Sequence, residues 1–170
     1  PYRGGLHTPE HTFFKPIFVD GEIMGFAVAI GHIAEVGGMA PGGFCGEATE
    51  IFQEGLRIPP VKIKKRGKDN IEVWKLLLAN VRTPRVNYGD LRALIAAVDL
   101  GEKQMTQIYK KYGKEKIKET VNDLLLYSER RMRAELEAIP DGIYAFSDKV
   151  ESDGIDADRT YTINVEVRSE

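Results

Sequence analysis

A single cysteine in 170 residues excludes an internal disulfide and fits a reducing compartment. No apolar run approaches the roughly 20 residues that a membrane-spanning helix needs, and no signal peptide is visible. The reading is therefore cytoplasmic. Charge of one sign is also lacking: the net charge of −2 gives no global pull toward nucleic acid or an acidic membrane. Neither G-K-[ST] nor G-x-G-x-x-G is present, which argues against a nucleotide site in this chain. There is no internal repeat and no linker long enough to divide the chain. An initiator Met is missing too. Pro1-Tyr2-Arg3-Gly4-Gly5 reads like the middle of a loop, so the chain is expected to be one 170-residue piece of something longer.

What is there is the composition of a globular domain, with 42% hydrophobic and 29% charged residues. The charge is unevenly spread. Residues 1–60 carry 3 Lys+Arg against 7 Asp+Glu, and 61–139 carry 18 against 11. All three histidines, His7, His11 and His32, lie in the acidic first third. That third also holds five glycines within ten residues: Gly37, Gly38, Gly42, Gly43 and Gly46. Helices and strands disfavour such density, so these glycines imply positive φ angles or backbone lying close against something. Met39, Phe44, Ile51 and Phe52 among them favour a packed, site-forming loop over a flexible linker.

Residues 12–19 and 22–30 are β-rich and flank Asp20-Gly21, a strong signal for a two-residue hairpin. Pro16 makes the first strand an edge. The second strand delivers His32 and Glu35 at its end. A short helix is predicted over 47–54, and a strand over Val61–Lys65 opens onto a basic turn. Asp69 is the expected cap of a helix over 70–80, which Thr83-Pro84 ends. Two longer helices follow, from Tyr88 to Tyr112 and over 114–138. Met132 and the tyrosines near their apolar stripes read as core. Strands are predicted at Ile143–Phe146 and Tyr161–Val167, joined by an acidic turn without the spacing of a Ca²⁺ loop. The fold class is α+β: a β-hairpin layer with a Gly-rich loop at one end and long helices packed against it.

His7-Thr8-Pro9-Glu10-His11 spells H-x-x-E-H, a pattern of some zinc peptidases. That mechanism needs the histidines one helical turn apart, and Pro9 with Gly4-Gly5 argues against a helix. A hairpin offers another route. His7 lies just before its first strand and His32 just after its second, so folding back at Asp20-Gly21 brings them near one another. Two imidazoles with a carboxylate from Glu10 or Glu35 suit Zn²⁺, Mn²⁺ or Fe²⁺. Hydrogen-bonded histidines without an ion are the plainer alternative. Cys45 as a nucleophile and the glycine loop as an anion cradle are further alternatives.

Several stretches together resemble the hydantoinase B / 5-oxoprolinase family: P-Y-R-G-G-L-H (1–7), G-H-I-A-E-V-G-G-M-A-P-G (31–42), A-T-E-I-F-Q-E-G-L-R-I-P-P-V-K (48–62), L-A-N-V-R-T-P (78–84), G-D-L-R-A-L-I-A-A (89–97) and Y-S-E-R-R-M-R (127–133). The resemblance implies a B-type enzyme subunit that works with a hydantoinase A-type subunit, which binds ATP and phosphorylates a carbonyl or amide oxygen. The B-type subunit then completes ATP-dependent opening of a cyclic amide or, in the related acetone and acetophenone carboxylases, carboxylation of an activated enol. It also implies a divalent metal in the B-type part, with His7 and His32 at the family's histidine positions and a further carboxylate ligand upstream of Pro1. In that reading Glu35 or Glu10 moves protons, and Gly37, Gly38, Gly42 and Gly43 let backbone N–H groups approach a negatively charged intermediate. Where many members read G-H-H-A-D, this chain has Gly31-His32-Ile33-Ala34-Glu35. Family subunits run to several hundred residues, so this chain corresponds to an N-proximal slice. A reading from another class is a non-catalytic module whose long helices dock a partner subunit.

Overall fold

The computed structural model describes residues 6–170; the loop expected over Pro1–Gly5 lies outside the described residues. The chain forms two compact units, Pro1–Gln107 and Ile108–Glu170. In the first, strands β1 (Glu10–Val19) and β2 (Glu22–His32) form an antiparallel hairpin. Asp20 and Gly21 take φ of 51° and 83°, the left-handed pair that a two-residue turn demands. The register slips by one between Ile17 and Phe18, so that Ile17 faces Gly25 and Glu10 faces His32.

The inner face of this hairpin carries Phe13, Ile17 and Val19, and β2 sets the small Ala29 and Gly25 opposite the first two, which admits a helix closely. A β-carbon on Gly31 would lie 3.0 Å from Leu94, and one on Gly101 would lie 3.1 Å from Ala27. Leu94 and Gly101 belong to α2 (Pro84–Tyr112). The glycine in the middle of that helix is thus the point at which it crosses the sheet. The core joins Ile33, Trp74, Leu77, Leu91 and Ile95, with Trp74 and Leu77 supplied by α1 (Ile71–Ala79). Lys15, also on the hairpin, reaches Asp99 at 2.7 Å, and Lys64 reaches the other oxygen of Asp99 at 3.0 Å.

Several boundaries differ from expectation. The helix predicted over 47–54 shrinks to a single 3₁₀ turn, Ile51–Gln53, because the Gln53 side chain takes the N–H groups of Thr49 and Glu50. The strand predicted at Val61–Lys65 is only β3 (Lys64–Lys65), paired with β4 (Lys68–Asp69). The ladder stops there because Asn70, whose N–H bonds to Ile63, already caps α1. Asp69 is therefore not the cap; it pairs with Arg92 at 3.0 Å. Thr83-Pro84 ends nothing that Asn80 has not already ended; Pro84 instead opens α2, where its missing N–H costs nothing.

The second unit contains α3 (Lys114–Glu137) and a hairpin of β5 (Gly142–Glu151) with β6 (Thr160–Ser169), both longer than predicted. In the connecting turn Asp153 accepts the N–H groups of Asp156 and Ile155 and the hydroxyl of Tyr161, which pulls its pKa down to about 2. That carboxylate is occupied internally, as an ordinary loop requires. Apart from the buried Ile117, the apolar stripe of α3 is not core. Leu124, Leu125 (65% exposed), Met132 and Leu136 face outward. No helix among the described residues is long and apolar enough to cross a membrane.

Candidate metal centre

Residues 6–9 form a turn, and Glu10 and His11 open β1, so the H-x-x-E-H stretch is no helix. The turn is held by the Glu10 N–H donating to the His7 carbonyl (3.3 Å) and by the Thr8 hydroxyl donating to the Glu54 carbonyl (2.7 Å). The Ile33 N–H donates to the Pro9 carbonyl at 3.0 Å, which extends the hairpin's pairing to its open end. Directly opposed residues of an antiparallel pair share a face, and Glu10 opposes His32. His7 folds over this pair from the turn.

The result is a three-residue cluster. One ligand atom each from His7, Glu10 and His32 lies within 4.8 Å of the others. The imidazole rings stand 4.4 Å apart, edge to face at 73°. His7 Nδ1 is buried and has no hydrogen-bond partner among the described residues; the Glu10 carboxylate, at 3.7 Å, is too far to supply one. A buried imidazole nitrogen without a partner is costly unless something binds it. Among the described residues Glu10 accepts one N–H, that of Leu6 at 3.1 Å, and these leave carboxylate lone pairs free. Two nitrogens and one carboxylate, with an orphaned nitrogen among them, fit a divalent ion of the Zn, Mn or Fe type.

His11 does not join them. It lines an apolar hollow with Val36, Leu56, Leu77 and Leu91, where burial lowers its pKa and favours the neutral ring. Glu35 is elsewhere too, and it has a different role from the proton transfer expected of it. Only 3% exposed, it takes the Gly37 N–H (3.0 Å) and Arg82 Nη1 (2.6 Å) on Oε1, and the Arg82 N–H (2.6 Å) on Oε2. Burial pushes its pKa up, but the donors from Arg82 and Gly37 outweigh it, and the net shift is downward. Arg82 Nη2 also donates to the Gly38 carbonyl, and Asn87 Nδ2 to the carbonyl of Glu35, both at 2.6 Å. Glu35 is a brace that fixes the chain just after His32 against the start of α2.

The glycine loop is packed, but through its glycines: Met39, Phe44 and Phe52, the apolar residues expected to pack it, are exposed, and what the loop lies against is the chain itself. Gly37, at φ 77°, has no room for a β-carbon beside the Asn80 carbonyl, and Gly38 sits against the backbone of Gln53 and Glu54. Gly43 lies against Pro9 and Val36, and Gly42 near the Ala34 carbonyl. Close internal packing, rather than an open cradle, explains these glycines. Cys45 is half-buried, and no imidazole among the described residues hydrogen-bonds it.

Two residues of this region escaped the sequence reading. Arg82 is one, and its position just before the Thr83-Pro84 helix start was the available signal. The other is Phe44, whose ring packs against both histidines of the cluster.

A sequence model of the hydantoinase B/oxoprolinase family matches residues 1–170. The chain belongs to that family. It is 35% identical over 171 residues to the caprolactamase subunit beta of Pseudomonas jessenii, covering 100% of this chain and 29% of that one. It is 28% identical to the acetophenone carboxylase delta subunit of Aromatoleum aromaticum, over 86% of this chain and 22% of the relative. The fold matches the crystal structure of the ATP-dependent caprolactamase from Pseudomonas jessenii, with a TM-score of 0.84 over 97% of this chain and 29% of that one. This family member thus spans less than a third of the length of these relatives.

Proposed function

We propose that this chain forms part of the B-type subunit of an ATP-dependent cyclic-amide hydrolase, in which His7, His32 and Glu10 hold one divalent ion at the site of ring opening. The observation that carries this reading is the convergence of three ligand atoms within 4.8 Å around an unpartnered His7 Nδ1. An ion bound there polarises a carbonyl oxygen or lowers the pKa of a water. Glu10, with free lone pairs, is the carboxylate able to take or hold a proton, while Glu35 keeps the strand end in place. The ATP-using partner is an A-type subunit that phosphorylates the amide oxygen, which fits the name of the ATP-dependent relative. The single, unpaired Cys45 suits work in the reducing cytoplasm.

The test is His32→Ala in the full-length chain, assembled with its A-type partner. Elemental analysis is expected to show the ion lost, and ATP-coupled lactam hydrolysis is expected to fall by about 100-fold or more, since even loss of an outer-shell partner costs 10–100-fold. Full activity in metal-free protein overturns the reading. The similarity to an acetophenone carboxylase subunit favours one second reading, a ketone carboxylase. Bicarbonate dependence with a ketone substrate separates the two.

A further inference from the structure

Phe44 stands over the histidine pair in a conformation that local preferences oppose. Its φ is 56°, in the left-handed region, where a β-carbon crowds the following carbonyl and residues other than Gly, Asn and Asp rarely rest. Gly42 and Gly43 precede it at φ 79° and 78°. Three successive left-handed residues therefore turn the chain so that this one aromatic side chain is presented at the cluster. The ring meets His7 edge-on, with centroids 4.9 Å apart at 84°, and lies nearly parallel to His32, at 5.8 Å and 20°. Yet the residue is 67% exposed. A ring placed only to cover the imidazoles would be buried by them. This one leaves most of its hydrocarbon surface open beside the ligand atoms.

We infer that Phe44 is the apolar wall of the site: its open ring surface receives the methylene carbons that flank the reacting carbonyl and so sets substrate size. The inference rests on the metal reading of His7, Glu10 and His32 and deepens it by naming a specificity-determining residue. An amide or ketone carbonyl that reaches the cluster brings hydrocarbon on either side with it. Among the described residues Phe44 is the aromatic ring that touches both imidazoles, so carbons adjoining the reacting group fall against it. Covering apolar surface on one side of each methylene is worth about a twofold gain in affinity, roughly half of what full burial gives.

Straight-chain hydroxamates test this, because the headgroup chelates a divalent ion and the tail reports the wall. Calorimetry with the metal-loaded full-length protein would follow the series from acetohydroxamate to hexanohydroxamate. In the wild type, affinity is expected to rise about twofold per methylene. Phe44→Ala should keep its metal and acetohydroxamate binding but lose that rise, and Phe44→Leu should keep part of it. Equal rises in wild type and Phe44→Ala overturn the wall. So does loss of metal in both variants, which would make the ring a support for the imidazoles. If acetohydroxamate fails to bind the wild type at all, the metal reading itself falls and takes the wall with it.

Discussion

Glu10 and Glu35 flank the same strand end, yet their surroundings are opposite. Glu35 is buried, takes three donors on its two oxygens, and has an arginine pressed against it. Among the described residues, Glu10, only partly exposed, accepts one backbone N–H and faces the His7 imidazole, whose Nδ1 has no partner. A buried carboxylate with three donors and a guanidinium already on it has little left for an ion or a proton, whereas one with spare lone pairs beside an orphaned nitrogen has both. The difference separates a brace from a candidate ligand, although the two residues are chemically identical. It also predicts that they fail differently when changed.

The largest effect is expected at the brace. Arg82→Ala removes the guanidinium and leaves the Glu35 carboxylate buried with backbone donors only. Breaking a buried pair from one side costs about 3 kcal/mol, here discounted little because Glu35 is enclosed even though Arg82 is half-exposed. Urea denaturation of the full-length chain checks this. A loss below about 1 kcal/mol would show that Glu35 is no brace, since a surface ion pair is worth no more than that.

A smaller effect follows from pH. The folded pKa of Glu35 lies below its ordinary value, so the folded state favours the ionised form. Its contribution is complete above the unfolded pKa of about 4.3 and is lost as pH falls through the folded value. The stability gap between wild type and Glu35→Gln should therefore be constant from pH 7 to about 5 and narrow toward pH 3. Asp99, also lowered by its lysine partners, titrates in both proteins and cancels in the difference. A gap that stays constant to pH 3 would mean that Glu35 is not ionised against Arg82 as drawn.

That one carboxylate's neighbours were legible and the other's were not comes down to range. The turn at Asp20-Gly21 is local, so the return of His32 toward His7 was legible. The register was not. Pairing outward from Val19 and Glu22 without interruption would set Glu10 against Gly31. The irregularity at Ile17/Phe18 inserts one residue on β2, and only then does Glu10 oppose His32 on one face. Gly25 in I-M-G-F is the kind of residue that marks a bulge, but it says neither that the register slips here nor by how much. Glu35 was misjudged for the opposite reason: its partner Arg82 lies 47 residues away, beyond any local pattern. Close approach holds at Gly37, Gly38 and Gly43 but not at Gly46, which has open space around it, and sequence cannot say whether the approaching group is a ligand or, as at Gly37, the chain's own Asn80 carbonyl. In 108–170 the apolar stripe of α3 was legible as a stripe; periodicity identifies a face without saying whether anything covers it.

Glu10→Gln is the change expected to matter least for folding, and that is its value. Gln keeps the size and an oxygen for the Leu6 N–H, so the unfolding free energy in the absence of added metal should shift by less than about 0.5 kcal/mol, as for an ordinary partly exposed position. What Gln lacks is the negative charge that binds a hard ion, and affinity for Zn²⁺ or Mn²⁺ should drop by about tenfold or more. Competition against a chromogenic chelator measures it. Unchanged affinity would show that the two histidines hold the ion with some other carboxylate. A large loss of stability without metal would instead make Glu10 a second brace, and the contrast with Glu35 would vanish.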